Sequence, residues 1–298
     1  MKIPMVVKPI GALVETTGSS RSPSKLSVPE LLIAGGIAGS LAKTVIAPMD
    51  RVKILIQTNP NKPFSVSSAF RIGRDIATTG GVSALWKGHL ATIIRVMPYS
   101  ATNFMVFSRT GDLFDTTFPS INRSALRFTA GAVSGSVATA ITYPLETMRA
   151  RLAVDQTGKY RSGYIAAVSD IAAKEGLLSL YSGLRPTLFG IVPYAGISFA
   201  TYDFLKRRKV NRLLSGAISG VIAQSCTYPL DVVRRRMQVD PSAYSSMRVA
   251  FVIIAKTEGI VKGLYKGLSM NWFKGPVAVA ISLTTNDVIQ EWLTVKYH

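Results

Sequence analysis

Six long stretches of the chain are predominantly apolar, and they alternate between two kinds. Three of them (29–58, 123–154 and 210–239) are rich in small residues and run into a proline followed at once by an acid and a base. The other three (roughly 86–110, 183–207 and 268–294) follow polar connectors with a short helical pattern of their own, such as SVSSAFRIGRDIA and SGYIAAVSDIAAKEG. Each long stretch supplies the ~20 apolar residues that a helix needs to cross a bilayer. The pattern predicts an all-α membrane protein of six transmembrane helices with short connecting helices, and with both termini on one side.

The stretches also share a register. APMDRVKILIQ (47–57), YPLETMRARLA (143–153) and TYPLDVVRRRMQ (227–238) are variants of one motif. A GxxxG pair precedes each (Gly35/Gly39, Gly131/Gly135, Gly216/Gly220), with its second glycine 9 residues before Pro48, Pro144 or Pro229. Downstream, LWKGH, LYSGL and LYKGL place Gly88, Gly183 and Gly267 at 40, 39 and 38 residues after those prolines. Such self-similarity marks three related units. Their expected boundaries are 29–118, 119–208 and 209–298, behind a flexible Ser/Pro-rich tail, 1–28, that lacks the apolar core of a secretory signal. Small residues at i and i+4 are expected to be packing surfaces between membrane helices, and the three prolines to kink theirs.

Charge alters the picture. Apolar residues make up 48% and charged residues only 17%, yet the net charge is +19. A basic excess on a hydrophobic chain suits anionic lipids or anionic solutes. Nucleic acid is not an expected partner, since there is no long basic tract and no RNA-binding aromatic motif. One cysteine, Cys226, and two histidines, His89 and His298, leave no disulfide framework and no Cys/His metal set. No nucleophile–base pair is visible either, so neither an enzyme nor a cofactor is expected.

On a helix Asp231, Arg234 and Gln238 share one face, as do Asp50, Lys53 and Gln57. Glu146 and Arg149 repeat the spacing, with Ala153 in the glutamine place. If the units pack around a pseudo-threefold axis, the acids and bases converge at one depth around a central cavity. Asp50 is then expected to pair with Arg149, Glu146 with Arg234, and Asp231 with Lys53. A ring that closes by ion pairs and must open is a gate. Seven residues beyond Gly88, Gly183 and Gly267 stand Arg95, Gly190 and Lys274, again at equal depth. Lys43, five residues before Pro48, lies too deep for its amine to snorkel to the surface. Cations with one backbone-exposing glycine suit a phosphate-bearing anion that also carries a flat group.

The motif P-x-D/E-x-x-K/R, present three times and followed each time by the WKG, YSG or YKG element, resembles the mitochondrial carrier family from about residue 29 to 296. The resemblance implies a monomeric, multi-pass carrier of the mitochondrial inner membrane that works by alternating access, with its short connecting helices on the matrix side. It makes the ring above the matrix gate, braced by Gln57 and Gln238. It assigns cardiolipin binding to the helix starts at Trp86, Lys87, Gly88, Tyr181, Gly183, Tyr265, Lys266 and Gly267. A cytoplasmic gate of pattern F/Y-D/E-x-x-K/R is intact only as Tyr202, Asp203 and Lys206, with Asp287 left in the third unit. Gly80 replaces the usual acid before Trp86, and the link LKRRKVNRLL is short. The stretches RVMPYSATNF, PYAGISFATYDFLK and GLSMNWFKGPVAVAISLTTNDVIQ are similar to the branch that carries coenzyme A. That likeness implies coenzyme A and related adenine nucleotides as substrates, touched by Lys43, Arg95, Asn103, Gly190, Ile191 and Lys274. ATP-Mg/phosphate or another adenine nucleotide is the alternative cargo, and a non-transporting anchor or receptor the alternative class.

Overall fold

The computed structural model describes residues 28–60, 64–118, 121, 123–155, 158, 160 and 164–297; the expected tail, 1–28, lies outside them but for Val28. Among the described residues every regular element is helical. Each repeat has a long helix, a short helix, a tight turn and a second long helix. In the first these are α1 (Val28–Thr58), α2 (Val66–Gly80) and α3 (His89–Thr117). The second has α4 (Arg123–Val154), α5 (Tyr164–Glu175) and α6 (Leu184–Arg207). The third has α7 (Arg212–Val239), α8 (Met247–Thr257) and α9 (Leu268–Tyr297). Polar caps start the short helices: Ser65 and Ser68 exchange bonds of 3.0 Å in a reciprocal box at α2, and the Ser246 hydroxyl accepts from the Val249 amide at 3.3 Å at α8. The helices continue through Pro48, Pro144 and Pro229.

The long helices close into a ring because each repeat packs its second helix on the first helix of the next. α3 lies along α4, α6 along α7, and α9 returns to α1. Glycine permits the junction. Gly88, Gly183 and Gly267 begin the second helices at φ +86°, +85° and +83°, the left-handed region that penalises other residues. A Cβ on Gly88 would sit 2.9 Å from the Arg149 carbonyl oxygen, and one on Gly183 only 2.8 Å from that of Arg234. The first two turns therefore abut the proline-motif backbone of the neighbouring repeat, and the third faces the side chains of Tyr228, Gln57 and Lys53.

Apolar clusters hold the short helices. Ala250 and Ile254 of α8 join Tyr228, Val232, Val233, Met237 and Leu264, while Ala167 and Ile171 of α5 join Met148 and Leu180. α2 contributes no buried residue, so the first repeat docks its short helix less deeply.

Two expectations meet different geometry. The GxxxG glycines are not close-packed here: a Cβ on Gly35, Gly39, Gly135, Gly216 or Gly220 would meet nothing within 4 Å. Gly131 and Gly135 instead line the central cavity. By length and composition, one helical stretch among the described residues, Leu177–Arg207, is apolar enough to cross a membrane. The outward faces are nonetheless apolar in register. Ile37, Leu41 and Val45 on α1 are matched by Val133, Val137 and Ile141 on α4 and by Ile218, Ile222 and the exposed Cys226 on α7. Four-residue spacing makes each trio a stripe on one face, and the lone cysteine is a member of such a stripe.

The helix-start glycines carry a prediction. Gly183→Ala adds the cost of a left-handed alanine, about 1–2 kcal/mol, to a backbone overlap. Purified protein is expected to melt several degrees lower, whereas Gly220→Ala, in open space inside a helix, does not lower the melting temperature.

Candidate functional site

The three expected inter-repeat ion pairs are all formed where α1, α4 and α7 converge. Arg149 Nη2 lies 2.6 Å from Asp50 Oδ2, Arg234 Nη2 3.1 Å from Glu146 Oε1, and Lys53 Nζ 2.9 Å from Asp231 Oδ2. The acids are largely shielded, with side-chain exposures of 12%, 3% and 19%. Such carboxylates hold their charge only against close cations. Gln57 donates to Asp231 at 3.2 Å and to the Tyr228 hydroxyl at 3.0 Å. Gln238 donates to the Tyr143 hydroxyl at 3.0 Å and accepts from Arg235 at 2.9 Å.

More cations reach the ring than the sequence pattern assigned to it. Arg235 Nη1 bonds Glu146 Oε1 at 2.9 Å. Arg95 of α3 bonds the other oxygen, Oε2, of the same carboxylate, and its Nε donates to Thr142 at 3.1 Å. Lys274 of α9 lies 2.6 Å from Asp50 Oδ1. Gly190, at the equivalent depth of α6, offers no cation to Asp231; a Cβ there would face Leu230 of α7 at 3.7 Å. Lys43 is exposed, feels the like charges of Arg95, Arg149 and Lys274 and the opposite charge of Glu146, and forms no ion pair with a described carboxylate.

Below the ring runs a second tier that the sequence reading missed. Arg151 donates from Nε to the Gln238 carbonyl at 2.9 Å, to Glu175 at 2.7 Å and to the Ser179 hydroxyl at 2.6 Å. Arg236, in the same place one repeat on, donates to the Gln57 carbonyl at 2.5 Å, to Glu258 at 2.6 Å and to the Tyr244 hydroxyl at 2.9 Å. The first repeat has Leu55 at that position and Gly80 in place of the acid. Arg51, one turn earlier on the same face, reaches the equivalent points: Nε donates to the Ala153 carbonyl at 3.0 Å, and Nη1 bonds the Ala84 carbonyl. The two tyrosines before Pro144 and Pro229 were also missed. The signal was the contrast of TYPL, twice, with IAPM.

A cavity of about 460 Å³ extends along α4 from Gly131 to Arg149, with Arg95, Tyr99 and Asn103 on one side and Thr187, Ile191 and Arg234 on the other. The Arg95 guanidinium stacks over the Tyr99 ring at 5.0 Å. The expected cytoplasmic cluster is not assembled. Asp203 pairs within its own helix to Arg207 at 2.9 Å, and no bond joins Tyr202, Asp203 or Lys206 to Asp287.

The lysines expected at lipid phosphates turn inward. Lys87 lies 2.9 Å from Asp155, and Lys266 reaches the Asn59 carbonyl at 2.6 Å and Glu258 at 2.9 Å. Burial pushes the Lys266 ammonium below the ordinary lysine range, against the pull of Glu258. Trp86 Nε1 donates to the Thr44 carbonyl at 2.8 Å. At these helix starts, side chains tie one element to another.

Arg51 gives a direct test. A charge-assisted bond is worth about 1.5–3 kcal/mol, so Arg51→Leu is expected to lower the melting temperature measurably. Adding Leu55→Arg and Gly80→Glu rebuilds the arrangement of the other repeats and is expected to recover most of the loss.

Comparison with known proteins agrees with this architecture. The family model described as mitochondrial carrier protein matches three times, over residues 24–117, 122–212 and 208–297. The mitochondrial coenzyme A transporter SLC25A42 of Xenopus tropicalis is 44% identical over 282 residues, covering 89% of this chain and 85% of the relative. That of Homo sapiens is 43% identical over 277 residues, covering 87% and 86%. Solute carrier family 25 member 16 of Mus musculus is 35% identical over 318 residues, covering 96% and 95%. The chain belongs to the mitochondrial carrier family.

Proposed function

We propose that this protein exchanges coenzyme A and related adenine nucleotides, such as adenosine 3′,5′-diphosphate and ADP, across the mitochondrial inner membrane by alternating access. The charge balance around the ring carries the reading. Three acids, Asp50, Glu146 and Asp231, face seven cations: Lys43, Lys53, Arg95, Arg149, Arg234, Arg235 and Lys274. The surplus is four positive charges. Coenzyme A carries a phosphomonoester of about −1.5 to −2 and a pyrophosphate of about −2, so its charge is matched. Relatives at 43–44% identity bear the name of coenzyme A transporters, which supports the same cargo. The cavity also falls within the roughly 300–1,000 Å³ range of small-molecule sites.

In this reading six helices span the bilayer with the apolar stripes outward, and the charges face the axis where lipid does not reach. Lys43, Arg95, Lys274 and Asn103 meet the substrate, with Gly190 and Ile191 beside them. The ring of Asp50–Arg149, Glu146–Arg234 and Asp231–Lys53 is the matrix gate, with Gln57 and Gln238 as braces. Tyr202, Asp203, Lys206 and Asp287 belong to the opposite gate, which closes when the ring opens. Cardiolipin meets the amides of the turns at Gly88, Gly183 and Gly267, a helix-start anion site, and the carrier works as a monomer.

Counterflow of labelled coenzyme A into liposomes loaded with ADP tests the cargo. Uptake well above that of protein-free vesicles is expected, and uptake of ATP-Mg or phosphate alone would refute the assignment. The gate has its own test. Asp231→Lys abolishes exchange by placing two cations together, and Lys53→Asp in the same chain is expected to recover a measurable part of it. Full activity in both single variants would remove the ring from the mechanism.

A further inference from the structure

Two links join the repeats at the face away from the short helices, and their charge differs. The link from α3 to α4 (118–122, FPSIN) carries none, whereas residues 206–212 (KRRKVNR), between α6 and α7, hold five cations in seven positions. Arg207 turns back on Asp203 at 2.9 Å, but no described carboxylate pairs with Lys206, Arg208 or Lys209. The backbone marks the same spot. α6 ends in a Schellman turn, in which the Lys209 amide donates to the Lys206 carbonyl at 3.0 Å and the Val210 amide to that of Leu205 at 3.2 Å. Lys209 stands at φ +58°, the left-handed place that glycine ordinarily takes, and is the one non-glycine there among the described residues. Glycine would relieve that strain and remove a charge. The amides of the turn are occupied, so side chains alone are left to meet a ligand.

What surrounds these cations is apolar. Phe204, Leu213 and Leu214 are each more than half exposed. Leu214 stands four residues before Ile218, so it begins the outward stripe of α7 that continues through Ile222 and Cys226. The Arg208 guanidinium lies over the exposed Phe204 ring, 4.9 Å from its centre. Cations set on exposed apolar groups at the end of such a stripe suit the depth where acyl chains give way to headgroups. Resting on the reading that the six long helices span the bilayer, we propose that the α6–α7 link is a docking surface for anionic phospholipid, in the leaflet opposite the short helices. Phe204 and Leu214 lie against the acyl chains, and Arg208 and Lys209 bond the headgroup phosphate. An anionic membrane surface attracts basic segments beside membrane helices in this way. A soluble polyanion would meet the same charge but gain nothing from the apolar flank, so lipid is the better fit.

The test places a fluorophore on Leu213→Cys, Ile218→Cys or Ile121→Cys, each in the full chain with Cys226→Ser. The reconstituted proteins are quenched with spin-labelled phosphatidylglycerol, which is anionic, or phosphatidylcholine, which is neutral overall. At Leu213 the anionic lipid is expected to quench about threefold more strongly. At Ile218 in mid-stripe, and at Ile121 in the uncharged link, the two lipids are expected to quench alike. Raising salt from about 0.1 M to about 1 M shortens the screening length from about 10 Å to about 3 Å and is expected to erase the preference. Arg208→Gln with Lys209→Gln brings the ratio close to one. Lys209→Gly is expected to raise the melting temperature in neutral detergent while lowering the preference, as befits a strained residue held for its charge. Equal quenching by the two lipids at Leu213, with both quenching Ile218, overturns the docking and leaves the spanning reading intact. Absence of quenching at Ile218 removes the spanning reading and the docking with it. If the double variant keeps the lipid preference but slows coenzyme A uptake at low salt, the cations gather cargo instead, and the proposal fails.

Discussion

Asp50, Glu146 and Asp231 stand on three different helices at one depth, and each is answered by a cation from another repeat. An unanswered carboxylate there would cost several kcal/mol, so the acids dictate which helices must meet. They do so in a chain whose outward surface offers lipid-like apolar stripes and little to choose one helix contact over another. In such a setting the polar seam supplies specificity and the apolar faces supply tolerance. Each pair of the seam is made between side chains that reach toward the axis.

The junctions between repeats translate this seam into shape. A left-handed glycine at the start of each second helix brings that turn within contact of the next repeat's gate motif. Guanidiniums from the tier below then bond the carbonyl that ends the neighbouring first helix: Arg51 to Ala153, Arg151 to Gln238, Arg236 to Gln57. Movement of one first helix is therefore felt by the short helix and turn of its neighbour. The contacts run without a break through hydrogen-bonded and closely packed groups.

Much of this was legible because the repeat multiplies weak signals. One acid three residues before a base means little; the same spacing three times, in register with a proline and a distant glycine, names the partners across repeats. Subtraction along the chain was enough to pair Asp50 with Arg149. What the register could not show was reach. Arg95 and Lys274 sit at the depth assigned to the substrate, and only their length and direction carry them to Glu146 and Asp50. Arg235, one position off the gate register, joins Glu146 because a guanidinium spans what a helix-face argument places on another side. The GxxxG pairs illustrate the opposite failure. Their spacing implied tight packing, but two of the glycines border the cavity, where the absence of a side chain makes room.

Departures from threefold symmetry gather at one seam. Between the first and second repeats the glutamine place is Ala153 and the tyrosine place opposite it is Ala47, whereas Gln57 meets Tyr228 and Gln238 meets Tyr143 at the other two. The lower arginine and its acid are likewise lost together, as Leu55 and Gly80. Partners vanish in pairs because either alone would leave a buried polar group without its bond, the costly case. What remains is held by Arg149 on Asp50, by Arg51 from a different register, by Lys87 on Asp155, and by Arg95 on Glu146 and Thr142. Arg51 and Lys87 tie the two repeats through carbonyl oxygens and Asp155 rather than through the acids of the ring. Arg95 compensates at the level of the ring, where a cation from α3 joins the acid of the second repeat and no glutamine–tyrosine bond is made.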